Sequence, residues 1–338
     1  MTDVVIRTNG RAGHITLNRP DALNALTWDM CRAIETAFDN WADEPTVDLI
    51  LIDAAGDRAF CSGGDIADMY ASGQNGDLDY GRKFWRDEYR LNAKIATYAK
   101  PVVSFLHGYT MGGGVGVGCH ASHRIVCENS QIAMPECSIG LVPDVGGSLL
   151  LGRAAGGVGP YLGLTGDRMD AGDAIYAGFA DHYVPASDWD DVKSMLTTTG
   201  TVTVPRHTAP ASRLQSWQPE LDTYFAAATA SDIYAGLSDG PACQSARKLM
   251  DRNSPLAMAC AVPLIASAKT KGTIHAALEQ EFQFTYRAVE QSDFIEGIRA
   301  AIIDRDRRPN WKHSDIASVT TDDITEMTAP LGPQRLTF

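Results

Sequence analysis

Clustered metal or disulfide motifs are missing from this chain of 338 residues. Its seven cysteines form no CxxC pair, and its eight histidines are scattered. His120 and His123 approach the spacing of metal ligands, but no further His or Cys pattern accompanies them, so we interpret both as structural and expect no metal site. Because most cysteines lie within apolar runs, we expect buried, reduced thiols.

Positive charge is also scarce. The chain has 29 Lys and Arg against 42 Asp and Glu, which gives a formal net charge of −13. Since proteins that bind nucleic acid usually present a basic face, nucleic acid is not an expected partner. An anionic ligand would have to be bound by local cations, for which Arg19, Arg58, Arg82 and Lys83 are candidates.

No apolar run approaches the roughly 20 residues that a membrane-spanning helix needs. The first residues, "MTDVVIRTNG", lack the basic segment and apolar core of a signal peptide. Hydrophobic residues make up 44% of the chain and charged residues 21%, as is usual for globular proteins. We therefore expect a soluble, intracellular protein without a membrane partner.

The first half of the chain alternates predicted strands and helices. The segments "VVIRT" and "GHITL" predict a hairpin, and "VDLILID" and "PVVSFL" predict buried strands. Apolar residues at helical spacing predict a helix over residues 28–42, with Thr27 as its N-cap. This alternation favours an α/β fold.

After about residue 185 the pattern becomes helical. Residues 197–210 are typical of a linker, and Ser254 followed by Pro255 is a typical helix start. Helices are predicted over 241–250, 254–269 and 272–291. The expected organisation is a core over residues 1–196 and a helical region over residues 197–338.

Two glycine-rich loops, "FCSGGDI" (60–66) and "MGGGVGVG" (111–118), each follow a predicted buried strand. The second has neither the Walker lysine nor the spacing of a dinucleotide-binding loop, which argues against a phosphate site. Glycine allows backbone N–H groups to converge on one oxygen, so the loops could form an oxyanion hole, for example for a thioester carbonyl. The alternative is that these glycines only pack helix against strand.

Two carboxylates, Glu136 and Asp144, lie eight positions apart in the otherwise apolar segment "PECSIGLVPDVGG". Because burying an ionised carboxylate is costly, the pair suggests a task or a partner. The alternatives are that Glu136 accepts local hydrogen bonds and that Asp144 caps a helix starting near Val145. A third acid, Glu88, lies in the charged run "RKFWRDEYR", which by itself is typical of a solvated helix face.

Four motifs, in order, resemble those of the crotonase superfamily, also called the enoyl-CoA hydratase/isomerase family: "LNRPDALNAL", "AFCSGGDI", "HGYTMGGGVGVG" and "MPECSIGLVPDVGG". The segments "FWRDEYRLN" and "DFIEGIRAAIIDRDRRPNWK" are similar to the branch that hydrolyses 3-hydroxyisobutyryl-CoA. The resemblance implies an α/β fold, the ClpP-like spiral of ββα units, with a helical C-terminal region.

The resemblance also implies the site. It places an oxyanion hole at the N–H groups of Gly64 and Gly113, catalytic carboxylates at Glu136 and Asp144, and substrate binding at Gly113, Glu136, Asp144 and Glu88. Hydratases of the superfamily use a glutamate where this chain has Gly116, and they typically have glycine where this chain has Asp144. The pattern is therefore that of a hydrolase.

The activity implied by the resemblance is hydrolysis of 3-hydroxyisobutyryl-CoA or a similar short branched acyl-CoA, in valine catabolism. CoA would be part of the substrate, and no separate cofactor is implied. An enoyl-CoA hydratase or isomerase and a non-catalytic binding protein of this fold are the alternatives. We expect a cytoplasmic protein, or a mitochondrial one in a eukaryote, which could form a trimer or another homo-oligomer.

Overall fold

A computed structural model describes residues 2–338. Over these residues the strands are β1 Val4–Asn9, β2 Ala12–Leu17, β3 Leu49–Ala54, β4 Ala59–Cys61, β5 Val102–Leu106, β6 Tyr109–Met111, β7 His123–Val126, β8 Gln131–Ala133 and β9 His182–Tyr183. The α-helices are α1 Trp28–Ala42, α2 Ala67–Gln74, α3 Asp79–Ala96, α4 Gly113–Gly118, α5 Gly147–Arg153, α6 Val158–Thr165, α7 Ala171–Tyr176, α8 Trp189–Thr199, α9 Arg213–Tyr224, α10 Ala230–Gly236, α11 Pro241–Met250, α12 Pro255–Lys271, α13 Ile274–Gln291, α14 Phe294–Ile298 and α15 Thr321–Thr328.

The chain divides into two packing units, and each is made of several segments. The first contains residues 2–64, Asp87–Ala133 and Arg168–Arg213, and the second contains Asp65–Arg86, Met134–Asp167 and Leu214–Phe338. All nine strands described above lie in the first unit, whereas α5, α6 and α10–α15 lie in the second.

The first unit is built on a six-stranded sheet with the order β1-β2-β3-β5-β7-β9. Strand β1 pairs with β2 in an antiparallel hairpin, and the remaining neighbours are parallel. Strands β3 and β5 are buried along nearly their whole length, as expected for parallel strands that are covered on both faces. Trp189, Val192 and Leu196 of α8 pack into the same core as Leu51 and Phe105 of the sheet.

A second sheet in this unit is small, parallel and ordered β4-β6-β8. Strand β4 leads into the first glycine loop, and β6 leads through Gly112 into α4. The two strands are neighbours in this sheet, so their carboxyl ends meet at one edge. This arrangement brings the two glycine loops together at the carboxyl edge of the small sheet.

The second unit is helical, and α12 is its apolar centre. Eleven residues of α12 are buried, so the helix is apolar around most of its circumference, as is typical of a helix enclosed by others. The Ser254 side chain accepts a hydrogen bond from the N–H of Ala257, and Pro255 occupies the first turn. Helix α13 begins in a similar way, because the Thr273 side chain accepts from the N–H of Ala276.

Several local predictions are confirmed. The hairpin, the Thr27 cap of α1, the Ser254–Pro255 start of α12 and the α/β class are present in the structure. The cysteines are free and buried. Helix α8 extends to Thr199, so the irregular connection begins at residue 200 rather than 197 and runs to α9. The division at residues 196 and 197 stays a prediction.

Over residues 2–338, no helix combines the length and apolar character required to cross a membrane.

Candidate active site

Gly64 follows β4 on a loop that a neighbouring turn holds in place. The side-chain amide of buried Asn24 donates to the carbonyl of Ala59 at 2.8 Å. Two residues further along, the N–H of Leu26 donates to the carbonyl of Gly63 at 2.8 Å. Gly63 has a φ of +118°, which residues with side chains rarely adopt. The loop conformation is therefore fixed immediately before Gly64.

Gly113 is the first residue of α4, so its N–H has no acceptor within the helix. A Cβ atom on Gly113 would lie 3.1 Å from the nitrogen of Gly64 and 2.7 Å from Oε1 of Glu88. Any side chain here would obstruct the approach to the Gly64 N–H, which explains the need for glycine. The two loops thus lie side by side, as an oxyanion hole requires.

Glu88 lies beside this glycine pair on α3, and only 2% of its surface is exposed. Its neighbour Asp87 accepts hydrogen bonds from Trp28 Nε1 at 2.7 Å and from Arg90 Nη2 at 2.9 Å. These bonds hold α3 in the orientation in which Glu88 lies on its buried face. Burial, followed by the charge of Glu88, raises the pKa of the nearby Cys31 thiol. The alternative interpretation of Glu88 as part of a solvated face is wrong.

Glu136 begins a short 3-10 helix, Glu136–Ile139, in the second unit. Its side chain is 4% exposed, and its carbonyl accepts from the N–H of Leu141 at 3.1 Å. The next residue, Cys137, accepts a backbone hydrogen bond of 2.8 Å from the N–H of Ser254, where α12 begins. The backbone that carries Glu136 is therefore attached to the centre of the helical unit.

Asp144 is likewise buried, with 4% of its surface exposed. The two residues after it, Val145 and Gly146, have φ values of 53° and 79°. A β-branched residue such as valine rarely adopts a positive φ, and such a conformation costs about 1–3 kcal/mol. The N-cap of α5 is Gly146, so the alternative that Asp144 caps this helix is wrong.

A third carboxylate, Glu281 of α13, binds the backbone directly after Asp144. Its Oε2 accepts from the N–H of Gly146 at 2.7 Å, and its Oε1 accepts from the N–H of Ser148 at 3.1 Å and from the Ser148 hydroxyl. Burial raises the pKa of Glu281 to about 8, and the charge of Asp144 raises it too, although the hydrogen bonds from Ser148 and Gly146 oppose the shift.

Glu281 was not predicted from the sequence, although a signal was present. It lies between Leu278 and Phe282 on the face of α13 that also buries Ile274 and Thr285. A single acid on an otherwise largely apolar helix face indicates a buried carboxylate that needs a partner. The identity of that partner, 133 and 135 positions away, could not be read from the pattern.

The structure thus groups the predicted residues within each unit. Gly64, Gly113 and Glu88 lie together in the first unit, and Glu136 and Asp144 lie on one buried segment of the second unit. Their catalytic roles stay predictions.

The candidate cations differ in their surroundings. Arg19 Nη1 donates to the Ala25 carbonyl at 2.6 Å, and Arg82 Nε donates to the Tyr286 carbonyl at 3.0 Å. The Arg82 guanidinium also lies 4.1 Å from the centre of the Tyr286 ring. Arg58 and Lys83 are exposed. Arg19 and Arg82 therefore have structural contacts that by themselves account for their positions.

Known proteins match the chain over nearly its full length. A family profile described as enoyl-CoA hydratase/isomerase matches residues 12–328. The mitochondrial 3-hydroxyisobutyryl-CoA hydrolase of Rattus norvegicus is 35% identical over 355 aligned positions, which cover 99% of this chain and 91% of the relative.

Two solved structures match the whole chain. An enoyl-CoA hydratase from Rhodobacter sphaeroides 2.4.1 is 53% identical with a TM-score of 0.97, and each chain is covered to 100%. A carnitinyl-CoA dehydratase from Mycobacterium thermoresistibile is 37% identical with a TM-score of 0.93, over 100% of this chain and 99% of the other. The fold is therefore that of the crotonases, and the chain belongs to the enoyl-CoA hydratase/isomerase family.

Proposed function

We propose that this protein hydrolyses the thioester bond of 3-hydroxyisobutyryl-CoA, or of a similar short branched acyl-CoA, to give the free hydroxy acid and CoA. The observation that carries the proposal is the similarity to a 3-hydroxyisobutyryl-CoA hydrolase over 99% of this chain and 91% of the relative. The buried carboxylates Glu136 and Asp144 are the groups that would perform the reaction.

The N–H groups of Gly64 and Gly113 would donate to the thioester oxygen as it gains negative charge. The contact distances at Gly113 support this role, because a side chain there would block the Gly64 N–H. Removing one donor of an oxyanion hole typically costs about 3–4 kcal/mol of transition-state stabilisation. Donors of this kind replace a Lewis acid, so the proposed reaction requires no metal and no cofactor beyond the CoA of the substrate.

Glu136 would either attack the thioester carbonyl to form a mixed anhydride or remove a proton from the attacking water. Asp144 would orient or activate water, or accept a hydrogen bond from the 3-hydroxyl of the substrate. In both routes one water is consumed, the C–S bond breaks, and the departing thiolate of CoA takes up a proton. Glu88, buried beside Gly113, would help to position the acyl group.

An enoyl-CoA hydratase is the second candidate, because the Rhodobacter sphaeroides structure that matches the whole chain carries that name. Gly116, which is buried within α4, argues against hydration, since no carboxylate is available at that position. The two candidates differ in product, so one assay separates them.

The test is thiol release from (S)-3-hydroxyisobutyryl-CoA, followed with a thiol reagent, beside hydration of crotonyl-CoA. We expect thiol release by the unaltered protein and a loss of about 10²–10⁴-fold in Glu136→Gln and in Asp144→Asn. Glu279→Gln and Asp191→Asn, at exposed positions, are the matched controls and should keep the full rate. Hydration of crotonyl-CoA without thiol release would overturn the proposal in favour of the second candidate.

We further propose that the reaction belongs to valine catabolism and takes place in the cytoplasm, or in the mitochondrial matrix of a eukaryote. Neither nucleic acid nor a membrane is proposed as a partner, and the net charge of −13 supports the exclusion of nucleic acid.

Self-association is tested by light scattering during size-exclusion chromatography. A single species with the mass of one chain, 36.4 kDa, would exclude a trimer at the concentration used.

A further inference from the structure

Glu281 is fully buried, and both of its carboxylate oxygens accept hydrogen bonds from one short stretch of backbone. The N–H of Gly146, the N–H of Ser148 and the Ser148 hydroxyl all donate to it. Glu281 lies on α13, whereas Gly146 and Ser148 flank the first residue of α5. The carboxylate therefore connects two elements that are more than a hundred positions apart in sequence.

The backbone to which Glu281 is hydrogen-bonded directly follows the strained residue Val145. Val145 and Gly146 both have positive φ values, and they separate Asp144 from the start of α5. The N–H of Gly147 also donates back to the Asp144 carbonyl at 2.6 Å, which closes the turn. A strained turn persists only where surrounding interactions over-determine it, and the three hydrogen bonds to Glu281 are such interactions.

We propose that Glu281 is a positioning residue for Asp144, and that it acts by holding the turn 144–148 in the strained conformation that aims the Asp144 carboxylate. This inference rests on the proposed function, because it takes Asp144 as a catalytic group. It goes beyond that function by assigning a role to a residue of α13.

The charge state of Glu281 suits this role. Burial raises its pKa to about 8, so the group is mostly protonated at pH 7. A neutral carboxyl next to the turn places no second full negative charge beside Asp144.

Glu281→Gln is the informative substitution because it keeps the size of the side chain. The hydroxyl oxygen of a protonated carboxyl can still accept a hydrogen bond, whereas the NH₂ of an amide cannot. The NH₂ of a glutamine would therefore face either the N–H of Gly146 or the donors of Ser148 without accepting from them. The variant should lower kcat about 10–100-fold while KM for the acyl-CoA stays within about twofold, since a misaligned group affects the reaction more than substrate binding. Glu279→Gln makes the same change at an exposed position of the same helix, and both constants should stay unchanged.

A second variant keeps the test decisive if Glu281→Gln does not fold. Ser148→Ala removes only the hydroxyl donor and leaves both N–H donors in place, and we expect kcat to fall about 3–10-fold at constant KM. The double variant should lose no more than Glu281→Gln alone, because both changes affect one interaction.

The inference is overturned if Ser148→Ala and every folded Glu281 variant keep the unaltered kcat. It is equally overturned if the fall in kcat disappears once the rate is divided by the concentration of folded protein, since an unfolded fraction lowers the apparent kcat at constant KM and describes a purely structural cap. Asp144→Asn, measured in the same series, separates the two proposals. If it retains full activity, the catalytic role of Asp144 fails and the role of Glu281 fails with it. Loss of activity in Asp144→Asn with full activity in the Glu281 and Ser148 variants rejects the role of Glu281 alone. Failure of the proposed function itself is distinct, because the unaltered protein would then release no thiol.

Discussion

Two buried carboxylates, Asp53 in the first unit and Glu281 in the second, have pKa values shifted in opposite directions. Asp53 accepts from Lys193 Nζ at 2.8 Å and Thr16 Oγ1 at 2.7 Å, and His14 Nε2 lies 3.1 Å from its Oδ1. Burial alone would raise the pKa of Asp53, but the hydrogen bond from His14 and the charge of Lys193 hold it well below its usual range. Glu281 is bound by neutral donors, and its pKa is raised.

The comparison shows that the charge of the partners, more than burial, decides whether an enclosed carboxylate is ionised. Both groups are less than a tenth exposed, and both are hydrogen-bonded. Neutral donors stabilise the anion of Glu281 too weakly to offset its desolvation, whereas the hydrogen bond from His14 and the ammonium group of Lys193 together do so for Asp53. Asp53 therefore stabilises the sheet as an ion pair, and Glu281 holds a turn as a mostly neutral group.

The largest effect is expected from Asp53→Asn. It would leave the Lys193 ammonium, only 23% exposed, without its carboxylate, and loss of one partner of a buried pair costs about 3–5 kcal/mol. The free energy of unfolding in urea at pH 7 measures this loss. Asp191→Asn, at an exposed position of α8, should change it by about 0.5 kcal/mol or less. Equal effects of the two substitutions would contradict an energetically important ion pair.

The pH dependence of the free energy of unfolding should reveal the raised pKa of Glu281. The folded pKa of about 8 lies above the ordinary glutamate value of 4.5, so the folded state holds the proton more tightly than the unfolded state does. The stabilisation is complete below pH 4.5 and is lost as the pH rises through about 8. Between pH 6 and pH 9 the unaltered protein should lose about 2–3 kcal/mol that Glu281→Gln does not lose. Parallel curves for the two proteins would show that Glu281 is ionised throughout.

Lys193→Met should have a smaller effect than Asp53→Asn. Asp53 would keep Thr16 and His14, and the methionine would retain much of the packing near Phe105, whose ring centre lies 4.9 Å from Lys193 Nζ. We expect a loss of about 1–2 kcal/mol at pH 7, measured by urea unfolding. Lys83→Met, at an exposed position, is the control. A loss larger than that of Asp53→Asn would mean that Lys193 stabilises the sheet mainly by other contacts.

The smallest effect is expected from Ser148→Ala. It removes one of the three hydrogen bonds to Glu281 and should cost about 1 kcal/mol of unfolding free energy. Thermal unfolding at pH 6, with the exposed Ser194→Ala as control, measures the difference. A stability unchanged from the unaltered protein would indicate that the two backbone N–H groups suffice to bind Glu281.

Local signals predicted the local structure well. The helical spacing and Thr27 predicted α1, and Ser254 with Pro255 predicted the start of α12, because a cap and its helix are set by residues within one turn of each other. The same applies to the hairpin of β1 and β2. The linker predicted over 197–210 starts three residues too early, because residues 197–199 are threonines of low helix propensity, whereas the helix ends only at Gly200, with a φ of 67°.

The sequence by itself determined the α/β class, the positions of the two glycine loops and the choice of Glu136 and Asp144 as candidate site carboxylates. Each of these depends on neighbours within a few positions or on a short motif. Only the tertiary structure decided that Glu88 is buried against Gly113, that Lys193 binds Asp53, and that Glu281 holds the turn after Asp144. These partners lie far apart along the chain, and the packing of whole helices and strands selects them. The ionisation of each buried acid follows from that selection, because its pKa depends on which charges and donors the packing brings within reach.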